Sequence, residues 1–203
     1  MGDGLTTSIV FWTVLGFVLG SIPFAPLIGR IALNVDIRQV GDGNPGAGNV
    51  WRAGGWRVGM LAVAFDFMKG AVPVYVAHFQ AGIEGWPLLP VALAPVLGHA
   101  LSPFLRFRGG KAIAVSFGIW TGVLGWQGFF GMGISIGLFH LFVESDAWTI
   151  ILGTAAFLLT LLLFGASPEI LLLALLNLAL FTWKHWRELA LPIRLNRALF
   201  HRE

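Results

Sequence analysis

Residues 4–29, GLTTSIVFWTVLGFVLGSIPFAPLIG, contain no charged side chain, and neither do 147–168 or 170–183. A helix crosses the hydrocarbon of a bilayer with roughly 20 apolar residues, so each of these runs reads as a membrane span. The composition agrees. The chain has 203 residues, of which 57% are hydrophobic and 11% charged, and its mean hydropathy is +0.81. A soluble domain carries roughly 25% charged residues, so this chain cannot cover itself with polar surface. The reading is an all-α, polytopic integral membrane protein forming a single domain over residues 1–203. The expected spans are 6–29, 57–79, 87–105, 112–127, 129–143, 148–166 and 169–186, about seven helices. The glycine-rich patch from Gly125 to Gly133 divides an uncharged run that would otherwise be one long element.

The chain has no cysteine, which excludes disulfides, thiolate nucleophiles and thiolate metal sites. An acid and no base precede the first apolar run, so the N-terminus does not read as a signal peptide. Met1-Gly2 with Thr6 formally fits a myristoylation pattern, but a spanning helix leaves an acyl chain nothing to add.

The bases are placed on one side. Arg30, Arg38 and Arg52 precede the second expected span and Arg57 opens it, Arg106, Arg108 and Lys111 precede the fourth, and Lys184, Arg187, Arg194, Arg197 and Arg202 close the chain. With seven crossings these segments share one face, while Lys69 lies inside the second span. Positively charged loops face the cytoplasm. The expectation is a multi-pass protein of the cell's inner membrane with cytoplasmic glycine-rich basic loops and an external N-terminus. Six tryptophans near span ends (Trp51, Trp56, Trp86, Trp148, Trp183, Trp186) read as an aromatic belt. Gly16/Gly20 and Gly133/Gly137 are spaced for close helix packing.

The strongest chemical signal is 40–52, VGDGNPGAGNVWR. Its glycines let amides turn toward a ligand, Asn44 and Asn49 carry donors, and Arg52 can grip a phosphate through two bonds. A re-entrant turn that merely packs tightly is the alternative. In the second cluster, Arg106, Arg108 and Lys111 flank Gly109 and Gly110. Three cations alone would serve as an interfacial anchor, whereas Gly-Gly-Lys suits a backbone approaching an anion. This is not a Walker A loop, because Leu105 and Ala112 stand where Gly and Ser/Thr are needed. Pro45 and the missing bidentate Glu exclude an EF-hand.

Asp66 and Lys69 share a helical face, roughly 13–18 Å along the helix from Arg57. Charges at such depth are functional by default, though a buried packing pair fits equally. His99 and His185 close their expected spans, as a base, a phosphate ligand or an interfacial tip. His78 and His140 read as structural. Glu144 and Asp146 are either solvated or neutralise the basic loops.

The stretches Gly20-Ser-Ile-Pro-Phe24, Asp36-Ile-Arg38 and Gly43-Asn-x-Gly-Ala-x-Asn-x-x-Arg52 resemble the first signature of the bacterial acyl-phosphate:glycerol-3-phosphate acyltransferases of the PlsY type. Asp66-x-x-Lys-Gly70 and Gly98-His99, with Phe107-x-Gly-Gly-Lys111, resemble the second. The resemblance implies a membrane enzyme of phospholipid synthesis. It would move an acyl group from acyl phosphate to the sn-1 hydroxyl of glycerol 3-phosphate, giving lysophosphatidic acid and phosphate. It also implies that Asn44, Asn49, Arg52 and Lys111 line the phosphate pocket, with His185 from a third motif. Its partners would be acyl phosphate, glycerol 3-phosphate and membrane lipid. No cofactor, metal or nucleic acid is demanded. Among the positions assigned, Asp42 and His185 are the candidate catalytic residues, and Asp66, Lys69, His99 and Arg38 the supporting ones.

The chain departs from the family pattern at Asp42 (usually Ser), Gly48 (usually Thr), Ala112 (usually Gly) and Glu188 (usually Asn). Asp42 beside phosphate repels it unless the carboxylate pairs with Arg38 or Arg52 or acts as a base. A relative with altered acceptor or weakened catalysis, and a transporter of a phosphorylated solute, are the competing readings. The second lacks the broken-helix pair and two-half symmetry of many transporters.

Overall fold

In the computed structural model, which describes residues 2–196, every regular element among the described residues is helical, apart from one isolated bridge between Val143 and Leu195. The helices form two compact units that divide between Gly125 and Trp126.

The first unit holds α1 (Gly2–Ser21), α2 (Phe24–Leu33), α3 (Ala47–Tyr75), α4 (Leu88–Ala100) and α5 (Ile113–Leu124). The expected span 6–29 is not continuous, because it breaks at Ile22-Pro23. Proline has no N–H to continue the helical ladder, and two carbonyls beside it take side-chain donors instead. Ser102 Oγ donates to Ser21 O at 2.6 Å, and Lys69 Nζ donates to Ile22 O at 2.9 Å. Irregular backbone at membrane depth requires such internal partners. At its far end α2 stops on Asn34, whose left-handed conformation (φ 55°) turns its amide back to Arg30 O and Gly29 O.

The second expected span begins too late in the sequence reading. Helix α3 already starts at Ala47 and bends at Gly55, where φ 72° and ψ −173° lie in a region that essentially only glycine occupies. Asn49 and Arg52 are therefore helical residues rather than loop residues. Beyond Tyr75 the helix widens into a π turn over Val76–Gln80, tied down by His78 Nδ1 at 3.0 Å from Ile83 O. That contact supports the structural reading of His78.

Small residues set the helix spacing. A Cβ added at Gly20 would run into Pro95 O, and one at Gly98 into Phe17 O, so α1 and α4 meet backbone to backbone. Gly70 and Gly118 do the same for α3 and α5, against Val115 O and Phe67 O. The Gly16/Gly20 pair packs as expected, whereas Gly137 has nothing within 4 Å and faces open space.

The second unit holds α6 (Trp126–Phe142), α7 (Asp146–Leu163), α8 (Pro168–Lys184) and the short α9 (Trp186–Leu189). The break expected somewhere between Gly125 and Gly133 falls at Gly125 itself (φ 64°, ψ −150°), so α6 starts three residues before its expected start. The chain after α9 returns to the α6–α7 turn. Glu144 N donates to Arg194 O and Asn196 N to Phe142 O, each at 2.9 Å, and Trp148 Nε1 donates to Leu191 O at 3.0 Å. Asp146 opens α7, where a negative charge suits the helix dipole. Arg197 and Arg202 of the basic tail lie outside the described residues.

Among the described residues, four stretches are long and apolar enough to cross a membrane: Gly4–Leu33, Ala47–Gln80, Leu88–Leu105 and Asp146–Leu163. Their outer faces are apolar as well: Val10, Phe11, Val14 and Val18 on α1 and Leu159, Leu162 and Leu163 on α7 are exposed. Contiguous apolar surface of this kind suits lipid rather than water. Arg57, just past the Gly55 bend, lies 5.4 Å from the Trp56 ring, and at the end of α8 and in α9 Lys184 lies 5.1 Å from Trp183 and Arg187 5.3 Å from Trp186. Such pairs belong at the headgroup level.

Candidate active site

The site grows from the turn that feeds α3. Gly41 (φ 57°) and Gly43 (φ 72°) carry the chain through the left-handed region and fold Asp42 back toward the first turns of the helix. A side chain at Gly41 would meet Asn49 Oδ1 and Arg52 Nη1, so that glycine is what lets the turn close on them. Asn49 and Arg52, three apart on one helical face, interact directly: Arg52 Nη1 donates to Asn49 Oδ1 at 2.8 Å. Asn49 is almost fully buried and donates Nδ2 to Asp42 Oδ1 (3.0 Å) and Asn44 O (2.9 Å). Asn44 joins the cluster through its backbone, its amide donating to Asp42 Oδ1 at 3.2 Å.

Lys111 arrives from the other loop. Its Nζ donates to Asp42 Oδ2 at 2.9 Å, and Arg52 Nη1 lies 3.7 Å from Asp42 Oδ1. Four of the sequence-predicted groups, Asn44, Asn49, Arg52 and Lys111, thus converge on one carboxylate at the N-terminal end of α3. Helix N-termini attract anions through their unpaired amides and dipole. Burial resists ionisation of Asp42, yet the hydrogen bonds from Lys111, the Asn44 amide and Asn49, together with the Lys111 charge, outweigh it and hold its pKa below the ordinary 3.8. It is ionised at neutral pH and is a weaker base than a free carboxylate.

Of the two arginines offered as partners for Asp42, Arg52 stands beside it and Arg38 does not. The Arg38 fork is filled by Asp36, Nε to Oδ1 at 2.9 Å and Nη2 to Oδ2 at 2.6 Å, with the Arg38 amide capping the same carboxylate at 3.1 Å. Asp36 is held far below the usual carboxylate range by these bonds, and Arg30 stands 3.7 Å away. Arg38 therefore stiffens the turn that leads into the site.

Gly109 and Gly110 are buried, and packing gives each a reason. A Cβ at Gly109 would overlap His99 O and crowd Ala100, and one at Gly110 would overlap the His99 ring at Nε2. Gly109→Ala should therefore destabilise the protein by about 1–3 kcal/mol, read as a lowered melting temperature in detergent. An unchanged melting temperature would show that the loop has room to move away.

Below the cluster, a pocket is lined by Ser21, Asp66, Lys69, His99 and Ser102, with Pro45 and Gly110. Asp66 pairs with Lys69 at 2.8 Å, and His99 Nδ1 lies 3.8 Å from Asp66 Oδ1. Sequence reasoning missed Ser102, and the Ser-Pro step into the Pro103–Leu105 turn was its only signal. In the second unit, His185 is 1% exposed at the end of α8, its Nδ1 2.9 Å from Phe181 O. A carbonyl only accepts, so Nδ1 carries the proton and Nε2 is the basic nitrogen of the neutral ring.

The family model for glycerol-3-phosphate acyltransferase matches residues 10–193. The chain belongs to the glycerol-3-phosphate acyltransferase family. It is 40% identical to a glycerol-3-phosphate acyltransferase of Thermus thermophilus over 189 residues, 88% of each chain. Two crystal structures of PlsY (YgiH), an integral membrane glycerol 3-phosphate acyltransferase, share the fold. Its glycerol 3-phosphate form gives a TM-score of 0.81 at 33% identity, covering 97% of this chain and 96% of that one. Its lysophosphatidic acid form gives 0.80 at 32%, covering 97% and 94%. A single family model spans both units, so the division at Gly125 lies within one family architecture.

Proposed function

We propose that this acyltransferase family member moves a fatty acyl group from acyl phosphate to the sn-1 hydroxyl of glycerol 3-phosphate, releasing lysophosphatidic acid and inorganic phosphate. The observation that carries the reading is the convergence of Asn44, Asn49, Arg52 and Lys111 on one anionic group, Asp42. The relatives supply the acceptor: PlsY has a glycerol 3-phosphate form and a lysophosphatidic acid form.

In the proposed reaction the sn-1 oxygen attacks the acyl carbon. The bond from that carbon to the phosphate oxygen breaks, and phosphate leaves with the electron pair. Lys111 and Arg52 offset the negative charge of the phosphates, and Asn49 holds the Arg52 guanidinium in place. Most of the rate then comes from positioning two anions against each other. The hydroxyl proton leaves with the departing phosphate, since Asp42, whose pKa is held down, is a poor acceptor for it. The donor is tested by offering purified protein acyl phosphate and an acyl thioester in parallel. Product from acyl phosphate alone is expected, and equal product from the thioester would contradict the assignment.

The orientation follows from charge. We infer seven crossings, counting α1 with α2 as one, with the basic segments cytoplasmic and the N-terminus external. Because the chain has no cysteine, single cysteines report without background. Gln39→Cys, Arg108→Cys and Leu191→Cys, all at exposed positions, should label from the cytoplasmic side and Glu84→Cys from the outside. An external signal from any of the first three would contradict the topology.

A further inference from the structure

The segment Asp66-Phe-Met-Lys-Gly70 lies inside α3, and the proposed reaction has no step for it. Its charges are 2% and 6% exposed, a costly arrangement in a membrane. What they touch supplies a reason. Lys69 donates to Ile22 O at the α1–α2 break and lies 5.8 Å over the Phe24 ring, while holding Asp66 at 2.8 Å. Asp66 faces His99 at the end of α4, 3.8 Å away. The other side of the His99 ring lies against Gly110, since a Cβ there would overlap Nε2. Gly70 touches α5 at Val115 O in its first turn. An ion pair that only cemented helix packing would have no need of His99 or of contacts on both sides of the 109–112 loop.

That loop needs outside support. Arg106 (φ 53°) and Phe107 (φ 62°) just before it and Ala112 (φ 62°) at its end are non-glycine residues in the left-handed region, a conformation costing roughly 1–2 kcal/mol per residue. Strained backbone persists only where its surroundings over-determine it. His99 below Gly110 and Gly70 against α5 supply that constraint, one on each side of Lys111.

We propose that Asp66, Lys69 and His99 form a positioning brace that seats the Gly109–Ala112 loop and thereby fixes the Lys111 ammonium at the phosphate site. They act through Lys111 and do not touch substrate. The proposal rests on Lys111 being a substrate-binding residue, and a double-mutant cycle separates the two claims. The variants His99→Ala, Lys111→Ala and the pair are compared in kcat/KM for glycerol 3-phosphate, with the melting temperature of each. A 1 Å misplacement can cost up to about a hundredfold in rate, so His99→Ala alone should lose roughly tenfold or more. On the Lys111→Ala background it should lose nothing further, because residues that act as one unit are not additive. Additive losses, or near-wild-type activity in His99→Ala, would overturn the brace. Near-wild-type activity in Lys111→Ala would instead remove Lys111 from the site and refute the functional reading on which the brace depends. His99→Gln, which keeps bulk under Gly110, carries the same cycle if His99→Ala fails to insert, and Lys111→Arg replaces Lys111→Ala if that variant has no measurable turnover.

Discussion

Lys111→Ala and Arg52→Ala should each lower kcat/KM for glycerol 3-phosphate roughly ten- to hundredfold while the protein still inserts and keeps its fold. The magnitude follows from losing a charge-assisted hydrogen bond to a partly desolvated anion, about 1.5–3 kcal/mol. Lys111 should sit at the upper end. Its side chain is 17% exposed against 52% for Arg52, so water screens it less. Its removal also strips Asp42 of its closest cation, 2.9 Å away, leaving a carboxylate to repel the incoming phosphate. Steady-state kinetics on detergent-purified variants, with melting temperatures as the folding control, decide the matter. Near-wild-type kcat/KM in either variant removes that residue from the site.

The second large effect concerns Asp42. As the hub of Asn44, Asn49, Arg52 and Lys111, it would align the donors proposed to grip phosphate. Asp42→Ser keeps a small acceptor but removes the charge that holds Lys111 and Arg52, so kcat should fall about tenfold or more, in line with lost preorganisation. The pH–rate profile should keep its shape, because a carboxylate held below 3.8 titrates outside the working range. The sign of the linkage is fixed by that lowered pKa. The stability contributed by the Asp42 pairs is complete above the unfolded-state pKa and is lost only as pH falls through the lower folded-state value. Wild-type kcat in Asp42→Ser would refute the positioning role, and loss of an acidic limb from the pH profile would point to a base instead.

Much of this was legible in the sequence because membrane helices declare themselves by composition. The uncharged runs 4–29, 147–168 and 170–183 are mostly helical, with breaks at 22–23 and 164–167. What the hydropathy pattern could not show was where a helix breaks inside an apolar run. Pro23 interrupts its run because two remote donors, Ser102 and Lys69, satisfy the carbonyls beside it, and nothing local announces them. Conversely, the glycines of 46–55 disguised a helix start, since glycine disfavours helices in water yet is tolerated when neighbours pack tightly. The residues of the cluster around Asp42 could be read individually as donors and cations. Their geometry could not, because the Lys111–Asp42 bond joins positions 69 apart in sequence. Asp42 itself read as a liability beside phosphate, and the structure makes it the point on which the other four groups meet. Gly109 and Gly110 read as a ligand-facing backbone, while their close approach to His99 and Ala100 supplies a packing reason that spacing alone cannot express.

The most direct test is the reaction itself. Purified protein receives acyl phosphate and radiolabelled glycerol 3-phosphate, and both labelled lipid and inorganic phosphate are measured over time. The account predicts labelled lysophosphatidic acid and phosphate appearing together, one for one, with both lost in Lys111→Ala. Phosphate release without labelled lipid, or no turnover in a folded wild-type protein, would contradict it.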